Sequence, residues 1–235
     1  MIKNIVKFLL GEETSKEIAH KVAAYNLSRY GCDILEIVDK ISSELKFDYW
    51  LIYGTLLGAY REHGFIKHDD DLDLAINAND ITQEFIIKML SNGFVLKSIK
   101  GTKDKRMRMV SFAYKKVMID FYGYVFDDAE ETKLTVFSSY PQEGKTYAES
   151  AKLNKFRCYL IHMDYNGIIR TQFKKLKVPI PANTEYVLKG LYGANFMIPD
   201  KKEKGQSATI SEIPPLEKLQ ASIIDISQLP LRNNG

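Results

Sequence analysis

Aspartate and aliphatic residues alternate strictly from Asp71 to Ile76 in this 235-residue chain. Successive side chains of a β-strand point to opposite faces, so Leu72, Leu74 and Ile76 share one face while Asp71 and Asp73 share the other. Charged groups are costly to bury without partners, whereas the aliphatic face needs a core. The pattern therefore predicts a strand in a sheet that packs on an apolar core with one face and borders a polar cleft with the other.

Periodic segments on both sides of this strand predict a mixed α/β (α+β) sheet flanked by helices. Helices are expected over 14–30, 33–46, 56–62 and 183–192. A further helix is expected to begin at a cap in 80–83 and to end near 92. Strands are expected over 49–53, 71–76, 94–99, 106–114 and 117–125, with the last two forming a hairpin. Residues 132–170 are expected to mix strands with a helix.

The proposed domain organisation is one catalytic domain over 1–200 with a helical N-terminal region, followed by a linker and tail over 201–235. The charged stretch 201–206 is typical of a linker, and a segment near 215–224 is expected to dock on the body. Residues 1–10 fit a short amphipathic helix, which favours packing on the core or on another subunit. A weak contact with a membrane surface is the alternative.

The charge and the cysteines limit the function classes. A net charge of +3 and a pI near 8.6 are too mild to indicate nucleic-acid binding and suit small anionic substrates. Cys32 and Cys158 stand far apart, which argues against a disulfide framework and for a reducing compartment. No apolar run has the length of a membrane span. We expect a cytoplasmic location, with a peripheral position at the inner face of the membrane as an option.

A phosphate-binding element is predicted where the strand ends at Gly54-Thr55 and a helix begins. Backbone N–H groups at a helix N-terminus point at whatever lies in front of them, and they favour anions. Thr55 is a candidate phosphate contact, although a simple helix-capping role would also explain it. Arg61, in the same helix, can bind a phosphate with two parallel hydrogen bonds.

The run Asp69-Asp70-Asp71-Leu72-Asp73 predicts a metal site. Carboxylates this close repel one another unless cations neutralise them. Oxygen-only ligands select a hard cation, so Mg²⁺ or Mn²⁺ is expected on Asp71 and Asp73. Asp120 is the candidate third ligand, because it lies between bulky apolar residues on a predicted central strand. The alternative for Asp120 is an ion pair with Arg106 or Arg108.

Acidic runs also occur in solvated turns, in calcium loops and in the DxD element of sugar-nucleotide glycosyltransferases. A solvated turn does not account for the entry of this run into an apolar strand. A calcium loop is excluded because Leu74 stands where that loop needs glycine and Asp80 where it prefers glutamate. The DxD element remains an open alternative.

The stretch from Tyr53 to Leu74, YGTLLGAYREHGFIKHDDDLDL, closely resembles the signature of the LicD family, which includes bacterial phosphocholine transferases and fukutin-related proteins. Ile119-Asp120-Phe121 and the stretch from Tyr186 to Pro199 are similar to two weaker family motifs. Lys67-His68 departs from the family, which often has Pro-Trp there. Together these stretches cover most of residues 48–200.

The resemblance implies a nucleotidyltransferase-like fold and a metal-dependent phosphotransferase. The expected reaction moves a phosphorylated small alcohol from a CDP-linked donor to a hydroxyl of a cell-surface glycan or its lipid-linked precursor, and it releases CMP. Phosphocholine is the first expectation for the transferred group and ribitol phosphate the second. A nucleotidyltransferase that moves NMP onto a small molecule is the rival. Asp71, Asp73 and Asp120 are the expected catalytic and metal residues, and Gly54, Thr55, Arg61 and His68 the expected substrate contacts. The general base is left open between Asp120, Asp70 and His68.

Overall fold

A computed structural model describes residues 12–199, 211–212 and 220–232. Its helices are α1 (Glu12–Leu45), α2 (Tyr53–Arg61), α3 (Gln83–Ser91), α4 (Tyr147–Leu153) and α5 (Thr184–Tyr192). Its strands are β1 (Tyr49–Leu51), β2 (Asp71–Asn77), β3 (Val95–Thr102), β4 (Arg108–Tyr114), β5 (Val117–Phe126), β6 (Lys133–Pro141), β7 (Phe156–Asp164), β8 (Ile168–Phe173), β9 (Leu176–Pro181), β10 (Ser211–Glu212) and β11 (Gln220–Ile223). This is the mixed α/β architecture, with a sheet flanked by helices, that the sequence predicts.

Nine of the strands form one mixed sheet, and β8 and β9 form a separate hairpin. The β2 strand pairs with β5 in parallel and with β1 antiparallel. From β5 the antiparallel pairings run through β4, β3, β11, β7 and β6 and return to the distal end of β5. These pairings close into a ring, and β2 pairs with the first part of β5, on the edge whose last part pairs with β6.

The predicted alternation in β2 is confirmed. Leu72, Leu74 and Ile76 are fully buried in the core. Helix α1 packs across β2 and β5 and supplies apolar residues from its central and C-terminal part to the same core, including Ile34, Val38 and Ile41. The opposite face of β2 is thereby left for the cleft that carries the aspartates.

The N-terminal region differs from the expectation of two helices, because α1 is one continuous helix that runs through Gly31. A Cβ atom at Gly31 would lie 2.3 Å from Cζ of Phe65. The glycine therefore makes room for the Phe65 ring rather than ending a helix. The strand predicted over 49–53 is also shorter, since it ends at Leu51 and α2 begins at Tyr53.

Several of the remaining sequence predictions hold. Lys115 and Lys116 have φ values of 46° and 69°, the conformation that a two-residue hairpin turn requires. Residues 132–170 contain strands and the helix α4, as expected. β11 lies between β3 and β7, so this part of the C-terminal region is built into the sheet.

Residues 1–10 and the linker predicted at 201–206 lie outside the described residues. Among the residues that the structure describes, no helix combines the length and the apolar character needed to cross a membrane.

Candidate active site

The register of β2 and β5 brings three aspartates together. Asp73 is the direct partner of Asp120 across the two parallel strands, and Asp71 lies two residues before Asp73 on the same face. Each of the three offers a carboxylate oxygen within 4.8 Å of those of the other two. Residues separated by about 50 positions in the chain thus form one cluster, here called the aspartate triad.

The aspartate triad is electrostatically strained. Asp73 is only 8% exposed, and burial together with the charges of Asp71 and Asp120 raises its pKa well above the usual range. Burial, followed by the neighbouring carboxylates Asp69 and Asp120, raises the pKa of Asp71 to about 7. Among the described residues, no lysine or arginine nitrogen lies within 4.0 Å of a triad carboxylate. The triad therefore lacks the ion pairs that usually offset the free-energy cost of burying carboxylates.

Asp120 supplies an independent indication that the triad is suited to a cation. Its Oδ1 atom is buried and has no hydrogen-bond partner among the residues that the structure describes. Burial raises the pKa of this carboxyl, and the hydroxyl of the facing Ser111 and the charge of Lys100 partly oppose the rise. A buried oxygen without a partner is costly, and a metal ligand would satisfy it.

The alternative ion pairs for Asp120 do not form. Arg106 pairs with Asp128 on the surface. Arg108 donates from Nε to the carbonyl oxygen of Ala78 at 3.0 Å, and its guanidinium is used on backbone acceptors. Neither arginine is therefore positioned to neutralise Asp120.

The carboxylates fit a divalent metal ion. Two overlapping groups have the required spacing, Asp71 with Asp73 and Asp120, and Asp69 with Asp70 and Asp71. All donors are carboxylate oxygens, a set that suits hard cations such as Mg²⁺ or Mn²⁺. The acidic cluster could therefore hold a metal ion.

The N-terminus of α2 borders the triad. Tyr53, the first helical residue, has a φ of 48°, a strained conformation for a tyrosine. Its ring packs edge-on against Tyr122 and its hydroxyl lies 2.6 Å from that of Ser138. A Cβ at Gly54 would lie 2.9 Å from Oδ2 of Asp69, so the glycine lets the acidic run approach the start of the helix. Burial and the neighbouring Asp70 raise the pKa of Asp69 to about 6.

Thr55 does not have the helix-capping role that was the alternative to a phosphate contact. The capping position is occupied by Ile52, and the Thr55 side chain is buried behind the wall of the cleft. Its hydroxyl accepts a hydrogen bond of 2.9 Å from the backbone N–H of Asp73. Thr55 thus ties α2 to the central aspartate of the triad.

Arg61 lies at the other end of α2 and lines the cleft. Its Nη1 donates to the carbonyl oxygen of Phe196 at 3.1 Å, and its Nη2 donates to Glu62 at 3.0 Å. Its Nε is buried and has no hydrogen-bond partner in the described part of the chain. The segment after α5 is thereby held against α2, and one guanidinium donor remains unsatisfied.

The cleft itself has a volume of about 680 Å³, which is the size of a small-molecule site. Asp71, Asp73, Gly54, His68 and Arg61 line it. Further lining comes from four tyrosines, Tyr53, Tyr122, Tyr140 and Tyr192, and from Pro199. The stretch from Tyr186 to Pro199, which is similar to a weaker family motif, therefore contributes directly to the cleft wall.

Three residues at the site were not singled out in these roles by the sequence. His20 of α1 lies 2.7 Å from Asp70 through Nδ1. Tyr122 donates its hydroxyl proton to Oδ1 of Asp73 at 3.1 Å. Lys100 is only 5% exposed and lies on the same face of the sheet as Asp120 through the β3–β4–β5 register. Of the three, only Lys100 could have been identified from the sequence, because it is a lysine directly after the strand predicted over 94–99.

A parallel strand pair that presents three carboxylates beside a helix N-terminus defines a nucleotidyltransferase-like catalytic domain. Residues 46–183 match the nucleotidyltransferase domain of the LicD/FKTN/FKRP family, and the chain belongs to that family. The expected family membership is therefore confirmed.

The chain is also similar to curated relatives named ribitol-5-phosphate transferase FKTN. It is 25% identical over 169 residues to the protein of Mus musculus and 25% identical over 174 residues to that of Homo sapiens. Each match covers 72% of this chain and 33% of the relative. The chain thus spans about a third of the length of these relatives.

Proposed function

We propose that this protein is a metal-dependent phosphotransferase that moves a phosphorylated small alcohol from a CDP-linked donor to a hydroxyl of a glycan, with release of CMP. The observation that carries the proposal is the aspartate triad, in which three carboxylates lie close together and Oδ1 of Asp120 has no hydrogen-bond partner among the described residues. Family membership supports the same reaction class. The proposed catalytic unit comprises residues up to about 200 together with β11, which completes the sheet.

Each residue has a role in this proposal. Asp71, Asp73 and Asp120 would hold the divalent cation, and a bound cation would neutralise charge on the donor phosphates and acidify the attacking hydroxyl. Gly54 at the start of α2 and the fork of Arg61 bind the donor phosphates.

The acceptor hydroxyl attacks the phosphorus attached to the alcohol as the bond to the CMP oxygen breaks. Asp120 accepts the hydroxyl proton, because it approaches from a strand separate from that of Asp71 and Asp73. His68, which lines the cleft, is the second candidate for this step.

The first donor to test is CDP-ribitol, since the named relatives are ribitol-5-phosphate transferases. CDP-choline, which the sequence alone placed first, is the second. We place the reaction at the cytoplasmic side with a glycan or lipid-linked glycan as acceptor. Both cysteines are free thiols, which supports a reducing compartment.

The test is incubation with CDP-ribitol, CDP-choline and CDP-glycerol in the presence of Mg²⁺ or Mn²⁺, followed by separation of the products. Release of free CMP, dependent on the metal and lost in Asp73→Asn, is expected. Attachment of CMP to the acceptor would instead identify a nucleotidyltransferase. A parallel incubation with a UDP-sugar tests the glycosyltransferase alternative. Transfer of the sugar with release of UDP would show that the protein is a glycosyltransferase and would refute the proposal.

A further inference from the structure

The loop 62–70, which joins α2 to β2, carries the first part of the acidic run into the site. It ends in Asp69 and Asp70, and the three residues before them line the cleft. Within the described part of the chain, no backbone hydrogen bond joins the stretch 65–68 to another element. The course of this stretch therefore depends on the packing of its side chains.

Phe65 is the side chain that anchors the loop. Its ring packs edge-on against the ring of Phe173, which is fully buried, with 4.7 Å between the centroids. The Nζ atom of Lys174 lies 4.8 Å from the centre of the same ring. On the side of α1, a Cβ atom at Gly31 would lie 2.3 Å from Cζ and 2.7 Å from Cε2 of Phe65. The ring is therefore enclosed between the bare backbone of α1 and the β8–β9 hairpin.

The β8–β9 hairpin is itself tied to α1. Nη1 of Arg170 donates to Oδ2 of Asp39 at 2.9 Å. Closer to the turn of the hairpin, Nζ of Lys175 lies 3.3 Å from Oε1 of Glu36. Both acidic partners belong to α1, so the helix and the hairpin are held at a fixed distance from each other. A displacement of the Phe65 ring would therefore be passed to its own loop.

The glycine at position 31 is explained by space and not by backbone conformation. Gly31 lies inside α1 and does not have a positive φ. Alanine is a better helix former, so the helix alone does not favour glycine. Carbon atoms that are not bonded prefer to lie about 3.5 Å or more apart, so a methyl group here would push the Phe65 ring by about 1 Å. Gly31 also lies outside the stretch that matches the family model.

The far end of the loop has little room for such a shift. A Cβ atom at Gly54 would lie 2.9 Å from Oδ2 of Asp69, so this carboxylate is seated directly against the start of α2. Oδ2 of Asp70 lies 2.7 Å from Nδ1 of His20, a second contact between the loop and α1. A displacement of about 1 Å is enough to break contacts of this kind.

We propose that Gly31 is a positioning residue of the active site, which leaves space for the Phe65 ring and so lets α1 fix where the loop delivers Asp69 and Asp70 beside the aspartate triad. Gly31 does not line the cleft, and it acts through Phe65. The inference rests on the proposed function, since it takes the acidic cluster to be the cation site.

Two measurements on the full chain test this role without turnover, namely Mn²⁺ affinity by calorimetry and the rate of tryptic cleavage after the exposed Lys67. Gly31→Ala should weaken Mn²⁺ binding about tenfold, as changes behind metal ligands do, and should speed the cleavage because the loop opens more often. Added to Phe65→Leu, the same change should alter the affinity less than about twofold, since leucine leaves room for the methyl group. Ser43→Ala, on an exposed part of α1, is the matched control and should change neither quantity.

The outcomes separate a positioning role from a structural one. Equal loss of Mn²⁺ affinity from Gly31→Ala with and without Phe65→Leu would overturn the proposal, as would reduced stability with unchanged affinity and cleavage. If Gly31→Ala does not fold, the proposal requires that the double variant folds, and failure of both overturns it.

The proposed function fails in a different way. Lack of CMP release from every CDP-alcohol would refute the proposed function and leave the Mn²⁺ result to judge Gly31. If the wild type binds no Mn²⁺, the proposed cation site is refuted. The cleavage rates of Gly31→Ala with and without Phe65→Leu then decide whether Gly31 positions the loop.

Discussion

The Thr55 hydroxyl accepts a 2.9 Å hydrogen bond from the backbone N–H of Asp73, and both groups are buried. This bond joins the first turn of α2 to the middle of β2, the two elements that supply the proposed phosphate and metal sites. The relationship explains why a helix residue that does not line the cleft lies within the most specific part of the family signature.

Thr55→Val should lower the free energy of unfolding by about 1–3 kcal/mol, because the shape is kept while the Asp73 N–H loses its acceptor. Metal affinity should fall with it, since Asp73 is no longer fixed. Thr55→Ser keeps the hydroxyl and should restore both quantities to near wild type. Chemical denaturation and Mn²⁺ titration measure them. Equal behaviour of the Val and Ser variants would show that the hydrogen bond has no such role.

Asp71→Asn and Asp73→Asn should each reduce turnover by at least about 100-fold, because loss of a ligand costs more than loss of an outer-shell partner. Without metal the folded state should be as stable as wild type or more stable, because each change removes a carboxyl group whose ionised form is disfavoured in the folded state. Asp128→Asn serves as the control, because the Asp128 side chain is 87% exposed and distant from the triad. Full activity of the wild type in excess EDTA would contradict the prediction.

Arg61→Lys keeps the charge but loses the fork that reaches Phe196 and Glu62. If the fork also binds the donor, the KM for the CDP-alcohol should rise about tenfold or more, the effect of one lost hydrogen bond to a charged group. The KM for the acceptor should change little. Steady-state kinetics with each substrate varied in turn separate the two effects. A normal donor KM with reduced thermal stability would restrict Arg61 to holding the segment after α5.

The identity of the general base can be tested by the pH dependence of turnover at saturating metal. Asp120→Asn should abolish the ionisation on the acidic limb of the profile and reduce turnover strongly. His68→Gln should leave that ionisation in place. The reverse pattern, with near-normal turnover in Asp120→Asn, would assign the base to His68.

The sequence predicted the parts of the fold that depend on local pattern. Alternation in β2 placed the aspartates on one face, and apolar flanks identified Asp120 as a residue of a central strand. Neither pattern could fix the parallel pairing that sets Asp73 opposite Asp120, because register depends on contacts distant in the chain. The same limitation concealed His20, which contacts Asp70 from a position 50 residues earlier in the chain.

The errors at the helix boundaries have a shared cause. Gly31 and Gly54 carry the local signals of helix ends and turns, yet each is small because another chain segment approaches it closely. Phe65 lies against Gly31 and Asp69 against Gly54. A glycine that allows another segment to pack closely therefore looks the same in the sequence as a glycine that ends a helix or forms a turn. Only the structure distinguishes the two.

The final prediction concerns the pH dependence of stability. Burial and neighbouring carboxylates raise the pKa of Asp71 to about 7 and that of Asp69 to about 6, from an ordinary value of 3.8. Between about pH 4 and 7 the folded, metal-free protein therefore binds more protons than the unfolded chain. Its stability should fall as the pH rises through this window.

Metal binding reverses the trend, because the cation needs the ionised carboxylates and competes with their protons. The rise in Tm on adding Mg²⁺ should therefore be larger at pH 8 than at pH 6, and calorimetric titration in buffers of different ionisation enthalpy should reveal proton release at pH 6. Asp71→Asn removes the group with a pKa of about 7 and should flatten the dependence of the metal-free protein. A metal-free stability that increases from pH 5 to pH 8 would mean that these carboxylates are ionised in the folded state without a cation, and the electrostatic argument for the metal site would then fail.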